Sequence, residues 1–318
     1  MKKIGVLFGM ENTFPGALVD HINSMGAGDI EAEFVHVGGV RVDEPCRYAV
    51  VVDRISHEMP FYRAWLKSAI MAGTQVLNNP FWTAADDKFL NYTLAARLGV
   101  AVPPTILLPH KQFPLRINEQ SVSNLEYPLD WDAIFGYVGF PAYLKPYNGG
   151  GGRHVYPVGS REEFFGLYDQ TSDLCMMLQS AIHYDAYYRC FAVGQSEVLA
   201  MAYDPQRPYG QCYLCDPPAC DEKLLTRMKD DALKLCRALG YDINTVEFAV
   251  AGGVPYAIDF MNPVPDADRY SIGQAHFAWI VDAVARLAVQ RAQSPPANAL
   301  QAEEHWSSYL LRNNPKVT

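Results

Sequence analysis

No run of about 18 consecutive apolar residues occurs anywhere in this 318-residue chain, so it offers no candidate membrane-spanning helix. Positive charge is scarce. The 26 Lys+Arg stand against 35 Asp+Glu, a formal charge of −9, which argues against a whole-surface grip on nucleic acid and leaves only a local basic cleft open. Charged residues of both signs make up 19%, beside 49% hydrophobic and 12% aromatic residues. That balance excludes a disordered chain and supplies a large core. Several short signatures are missing too. There is no G-x-x-x-x-G-K-[ST], which disfavours a P-loop NTPase. No G-x-G-x-x-G follows a strand: Gly26-Ala27-Gly28 comes after a helical stretch and has Glu31 at the third glycine position, which disfavours a dinucleotide-binding dehydrogenase. His57-Glu58 runs into Met59-Pro60-Phe61, so H-E-x-x-H is absent, and so is G-x-S-x-G. Neither repeats nor low-complexity tracts occur. The apolar stretch 4–8 is too short for a signal-peptide core and has no small-residue cleavage site behind it. Seven cysteines, an odd number in a chain too large to need stapling, read as free thiols in a reducing cytoplasmic protein.

What is present begins as strand–helix alternation. Short apolar runs at 4–8, 33–37, 48–53 and 76–78 predict strands, and amphipathic stretches at 15–25 and 60–72 predict helices. The pattern is that of a parallel sheet covered by helices. A helix at 83–98 follows, with Thr83 as its N-cap and Gly99 as its stop, then a strand at 105–108. Residues 109–139 form a long connection with one short helix. Strands are expected at 141–145, 153–158, 174–179, 187–193, 196–202, 244–250 and 255–260, and helices at 161–169, 221–239, 274–290 and 298–311. Gly194-Gln195 suits a two-residue hairpin, and 203–219 is a Pro/Cys/Tyr-rich loop. The order is an α/β unit followed by an α+β region dominated by antiparallel strands. It divides at 1–82, 83–292 and 293–318, the middle portion having two lobes with a cleft between them, where small ligands bind.

Four features carry chemistry. Asp86-Asp87-Lys88 lies on the 83–98 helix. Lys145 ends the strand Phe140-Pro141-Ala142-Tyr143-Leu144-Lys145-Pro146. Gly149-Gly150-Gly151-Gly152 follows at once. Glu247 and Asp259 lie on the last two strands, with Asn262 just beyond. The glycine run is either a backbone cradle for phosphates or a flexible surface loop. Lys145 either meets an anion or snorkels to the surface, and Lys88 is either a second phosphate contact or an exposed helix charge. Period-two alternation on a 244–250/255–260 hairpin places Val246, Phe248, Val250, Tyr256, Ile258 and Phe260 on one face. Thr245, Glu247, Ala249, Ala257 and Asp259 share the other. Two carboxylates that close repel each other. A hard cation such as Mg²⁺ offsets this, and so does plain solvation.

In this order the features resemble the ATP-grasp superfamily, most of all its RimK-type, glutathione-synthetase-like and D-alanine–D-alanine-ligase-like members. The phrases that carry the likeness are Asn79-Pro80 with Asp87-Lys88, Gly99 with Pro103-Pro104-Thr105, and Leu144-Lys145-Pro146 with the glycine loop. Met177-Leu178-Gln179-Ser180-Ala181-Ile182 and Ile258-Asp259-Phe260-Met261-Asn262-Pro263 complete it. The match spans about 80 to 290, and the resemblance makes 1–82 a pre-ATP-grasp domain. It implies ATP-dependent ligation of a small-molecule carboxylate to an amine through an acyl phosphate, with release of ADP. Lys88 and Lys145 would contact ATP phosphates. Gly149, Gly150, Gly151 and Gly152 would cover them, and Gln179, Ala181 and Ile182 would read adenine at a hinge. Asp185 would take the ribose, and Glu247, Asp259 and Asn262 would hold Mg²⁺, or Mn²⁺ in its place. Arg189 and Lys145 would serve catalysis. Three positions depart from the pattern: Asp259 and Asn262 are separated by two residues rather than one, so a bulge or the turn at Pro263 must re-aim one of them; residue 260, where the resemblance puts a Glu, is Phe; and the hinge has Gln179 in place of Glu.

Glu11, after the first strand, is a candidate for a substrate amine, and Arg207 and Arg269 for a substrate carboxylate. Each has a surface or capping role as the alternative. Cys212, Cys215 and Cys220, with Cys236, His183 or Asp216 as a fourth ligand, raise a structural zinc site. Two other functions fit the same residues, a nucleotide-binding protein without turnover and a small-molecule kinase. No nucleic-acid or membrane partner is expected, and an oligomer is compatible with the sequence. If the resemblance holds, Lys145→Ala weakens ATP binding by about 1.5–3 kcal/mol, the worth of a hydrogen bond to a charged group. Titration calorimetry returning an unchanged affinity would remove Lys145 from the phosphate site.

Overall fold

The computed structural model describes residues 1–42, 44–81, 87–150, 152–208, 210–214 and 220–294, and of Glu119 the backbone alone. The expected cap at Thr83 and the helix at 298–311 lie outside the described residues. The chain forms two compact units. One comprises 1–81, 186–255 and 259–294, the other 87–185 and 256–258.

The first unit opens with β1 (Lys2–Phe8), α1 (Phe14–Ser24), β2 (Ile30–Phe34), β3 (Tyr48–Arg54), α2 (Pro60–Met71) and β4 (Gln75–Leu77). The strands form a parallel sheet in the order β2-β1-β3-β4. Its strands read as unbroken apolar runs because both faces are covered. Leu7, Val51 and Val76 meet Leu66 and Ile70 of α2 on one face. Ile4, Val6, Val50 and Val52 join a larger core with Phe14 and Leu18 of α1 on the other. β2 starts earlier than the apolar run at 33–37 suggests. Pairing of Lys2 with Ile30 through Val6 with Phe34 sets its register, and Val35 packs as a loop residue against the α2 side.

The same unit continues with β9 (Ala186–Val193), β10 (Glu197–Ala202), α6 (Glu222–Leu239), β11 (Ile243–Ala251), β12 (Val254–Asp259), α7 (Arg269–Ile272) and α8 (Gln274–Gln293). Its sheet runs β10-β9-β11-β12. Gly194 and Gln195 both have positive φ, +61° and +58°, the conformation of the expected hairpin turn. Helix α6 lies on β9, β10 and β11, burying Met228, Ala232, Leu235 and Cys236, and stops at Gly240 in the left-handed region. Helix α8 is apolar on most sides because it serves two sheets. Phe277, Ile280 and Val284 share one core with Val50 and Val52 of β3 and with Phe191, Val193 and Ile243 of β9 and β11. Each such buried side chain contributes about 1.5–3 kcal/mol.

The second unit holds α3 (Lys88–Arg97), β5 (Thr105–Leu108), α4 (Trp131–Val138), β6 (Ala142–Pro146), β7 (Tyr156–Val158), α5 (Arg161–Tyr168) and β8 (Met176–Ser180). Its sheet runs β5-β8-β6-β7. One face (Leu108, Leu144, Val158, Met176, Leu178) packs on Phe135 and Phe164 of α4 and α5. Alternation therefore places Thr105, Tyr143, Lys145 and Gln179 on the opposite face. Asp87 caps α3, its Oδ1 accepting the Leu90 N–H at 3.0 Å, so Lys88 is the first helical residue. β7 is shorter than the expected 153–158. Gly152 and His154, at φ +69° and +58°, hold the chain out of the ladder. Tyr256–Ile258 close this unit: the Ala257 N–H donates to the Ala101 carbonyl at 2.8 Å.

Buried Asn78, just after β4, uses its whole side chain. Its Nδ2 donates to the carbonyls of Ile243 (2.7 Å) and Pro263 (3.0 Å). Its Oδ1 accepts the N–H groups of Asp242 and Ile243, both at 2.7 Å. Asn78→Ala strands three buried backbone groups and one half-buried carbonyl and is expected to destabilise the protein by about 2–4 kcal/mol. The exposed Asn124→Ala should stay within about 0.5 kcal/mol. Urea unfolding of both variants tests the contrast.

Candidate functional site

In the second unit the Lys145 Nζ donates to Tyr92 Oη at 2.9 Å and lies 5.0 Å from the ring centroid. Tyr92, only 5% exposed, donates in turn to the Ile258 carbonyl, with Gln179 Oε1 3.4 Å from its oxygen. Gln179 Nε2 donates to Thr105 Oγ1 at 2.7 Å, which fixes the amide's orientation. Lys88 is tied to the chain just beyond β6, its backbone N–H donating to the Tyr147 carbonyl at 2.7 Å. At the expected hinge the Ala181 N–H is taken by the Pro141 carbonyl at 3.0 Å. The Ile182 N–H and the carbonyls of both residues bond to nothing among the described residues, which leaves main-chain edges able to read a base. Asp185 is exposed just before β9. Gly149 and Gly152 have positive φ (+91° and +69°), and a Cβ added at Gly149, Gly150 or Gly152 would meet nothing within 4 Å. Gly151 lies outside the described residues.

In the first unit Arg189 and Glu247 face each other across β9 and β11. Arg189 Nε and Nη2 donate to Glu247 Oε1 at 2.8 and 2.7 Å, and Tyr187 Oη donates to Oε2 at 2.6 Å. Arg189 Nη1 reaches Tyr213 Oη at 3.0 Å, and the guanidinium lies 4.7 Å from the Tyr203 ring centroid. Of its five N–H groups, one on Nη1 and one on Nη2 have no acceptor among the described residues. The face is not an open polar one: Thr245 and Ala249, on either side of Glu247, are buried, and on β12 Ala257 is buried while Tyr256 and Ile258, expected on the apolar face, are half-buried. Asp259 is exposed, and its charge, like that of Glu247, acts on the Tyr187 phenol.

A turn after β12 brings Asn262 back to this face. Buried Asn244 bridges it, Nδ2 donating to the Phe260 carbonyl and Oδ1 accepting the Asn262 N–H, both at 2.9 Å. Asn262 Nδ2 then donates to Thr245 Oγ1 at 3.0 Å, leaving its Oδ1 unbonded among the described residues. Two carboxylates and an amide oxygen are donors suited to a hard divalent cation, and Asn262 presents its oxygen rather than its nitrogen. Among the described residues no group of three or more His, Cys, Asp or Glu could hold a metal by itself. The zinc expectation finds no support there: Cys212 donates to the carbonyls of Arg207 and Pro208, Cys220 lies beside Tyr188, and Cys215 and Asp216 lie outside the described residues.

The remaining candidates have local partners. Glu11 accepts Arg54 Nε at 2.9 Å and also Arg54 Nη2. Arg207 pairs with Asp204 at 3.2 Å, and Arg269 stacks 4.7 Å over Phe277. Tyr92, Tyr187, Tyr203, Tyr213 and Asn244 escape the sequence reading. Only Tyr187 left a signal, standing two residues from Arg189 and so on the same strand face.

With these sheets and their order the chain has the ATP-grasp fold. An ATP-grasp RimK domain protein from Sphaerobacter thermophilus is similar over 92% of this chain and 100% of its own, with a TM-score of 0.64 at 16% identity. D-alanine–D-alanine ligase from Bacillus anthracis, in complex with ATP, is similar over 92% and 99%, with a TM-score of 0.59 at 14% identity. The macrocyclase MdnC from Microcystis aeruginosa, bound to its precursor peptide MdnA, is similar over 91% and 100%, with a TM-score of 0.59 at 16% identity. No family model and no curated protein matches the sequence.

The electrostatics of the Arg189 cluster follow from burial. Burial works against the Arg189 charge, but Glu247 and the surrounding tyrosines outweigh it and the guanidinium is held more firmly protonated than usual. Burial pushes the phenols of Tyr187 and Tyr203 upward and that of Tyr213 up to about 12. A phenol whose value is raised on folding stabilises the fold fully below its unfolded value of about 10 and loses that contribution as pH rises through the folded value. Melting temperature should therefore hold up to about pH 10 and fall above it. These tyrosines should be the last to show phenolate absorbance. Titration of all phenols near pH 10 in the folded protein would contradict the cluster.

Proposed function

We propose that the protein is an ATP-dependent carbon–nitrogen ligase of the RimK and glutathione-synthetase type, joining a small carboxylate to an amine with release of ADP and phosphate. The observation that carries this reading is the order of the lysine, glycine, carboxylate and amide positions along a chain with the ATP-grasp fold. ATP is held by Lys88, Lys145, the 149–152 glycines, Gln179, Ala181, Ile182 and Asp185. Glu247, Asp259 and Asn262 are the residues that would hold Mg²⁺, which when bound neutralises phosphoryl oxygens. In the first step a carboxylate oxygen of the substrate attacks the γ-phosphorus, and the bond to the β–γ bridging oxygen breaks. ADP leaves with the electron pair. The amine nitrogen then attacks the acyl carbon, the C–O bond to phosphate breaks, and the amine proton passes to solvent. Lys88, Lys145 and the two spare N–H groups of Arg189 stabilise charge on the moving phosphoryl group.

The structures solved with ATP (D-alanine–D-alanine ligase) and with Mg and ADP (the ATP-grasp ligase PsnB) support the choice of nucleotide and metal. No helix among the described residues is long and apolar enough to cross a membrane, and the six described cysteines are free, which supports a reducing, cytoplasmic setting.

One observation favours a second reading, a nucleotide-binding protein without turnover. Phe260, at the position where the resemblance puts a metal-binding Glu, is buried. Incubation with Mg·ATP and pooled amino acids, carboxylates and amines separates the two. ADP formed only with a particular pool, together with a new condensed mass, is the expected result. Measurable ATP binding with no ADP from any pool would favour the second reading, and AMP as the product would overturn the acyl-phosphate mechanism. Asp259→Asn should abolish turnover and leave the fold intact; full activity would remove Asp259 from the metal set.

A further inference from the structure

Lys145 is not placed by its own strand alone. A lysine has a long, rotamer-rich side chain, and ordering it costs up to about 2 kcal/mol, so a lysine that must meet a ligand at a fixed point gains from an anchor. Tyr92 supplies one. Its hydroxyl has one proton and two lone pairs. It accepts from Lys145 Nζ at 2.9 Å and donates to the Ile258 carbonyl. The far end of the anchor is thus main chain rather than another mobile side chain. The ring is 5% exposed on α3, the helix that starts at Lys88, and the Lys145 ammonium sits 5.0 Å from its centroid. Tyr92→Phe keeps the ring and removes only the hydroxyl that carries these bonds. Gln179, which pairs with Tyr143 of β6, brings its Oε1 only to 3.4 Å of the same oxygen, and the one phenolic proton goes to the Ile258 carbonyl.

We infer that Tyr92 is a positioning residue for the nucleotide: its hydroxyl holds the Lys145 ammonium where the phosphates of ATP are to meet it. The inference rests on the ligase reading only as far as ATP binding. A positioning role acts on phosphate recognition and works through Lys145. A purely structural role would weaken every ligand alike and would not depend on Lys145.

The experiment is calorimetric titration of the full chain with Mg·ATP and with adenosine. It compares the parent protein, Tyr92→Phe, Lys145→Ala and the double variant, with melting curves to confirm folding. Tyr92→Phe is expected to bind Mg·ATP about tenfold more weakly and adenosine as the parent does. In the Lys145→Ala background the same substitution should have no further effect, the non-additivity of a coupled pair. Unchanged Mg·ATP affinity in folded Tyr92→Phe overturns the inference while leaving the ligase reading intact. So does an equal loss for adenosine, or a full additional loss in the Lys145→Ala background. A parent protein that binds no ATP overturns both.

Discussion

The buried amide of Asn78 is the joint on which the first unit turns. An unbonded polar group in a protein interior costs about 1–3 kcal/mol, so a buried asparagine is tolerated only where its surroundings use all of it. Asn78 meets that condition from β4, binding both sides of the chain entering β11 and the carbonyl of Pro263. The parallel sheet, the strand that carries Glu247 and the turn that carries Asn262 are thereby set against one another by four directed bonds. Asn244 repeats the device one turn further on, bridging Phe260 and Asn262. Apolar packing by α8 brings the two sheets together without direction, and these two amides supply the direction.

A second constraint is electrical. Arg189 and Glu247 are 15% and 17% exposed, too enclosed for water to solvate them freely. Their mutual attraction has to offset much of that loss. Tyr187 and Tyr213 complete the arrangement by bonding the oxygen and nitrogen that the ion pair leaves over. Neutral phenols suit this place, since they bond to either sign of charge without adding one. The carboxylate is thus kept ordered on a strand whose neighbouring positions, Thr245 and Ala249, are core.

Much of this was legible in the residues. The Gly194-Gln195 hairpin and the stop of α6 at Gly240 follow from local conformational preference, which acts within a few residues. The start of β2 did not, because its register is set by β1, not by its own apolar residues. The beginning of α3 did not either: Asp87 caps it, where the expected helix at 83–98 ran through that position. Tyr92, Asn78 and Asn244 were illegible for a stronger reason. Their roles exist only through partners 53–166, 164–185 and 16–18 residues away, and one sequence does not say which distant groups will need a bond.

The three residues 256–258 belong to the second unit, although the rest of that unit ends at residue 185. Ala257 donates its N–H to the Ala101 carbonyl, and the Ile258 carbonyl accepts the Tyr92 hydroxyl proton. On the ribosome, therefore, the second unit emerges unfinished and stays so while β9, β10, α6 and β11 are made. Its closure is a long-range event, slow by the ordinary relation between contact distance and folding rate. A fragment cut at 87–185 would lack the piece that finishes it.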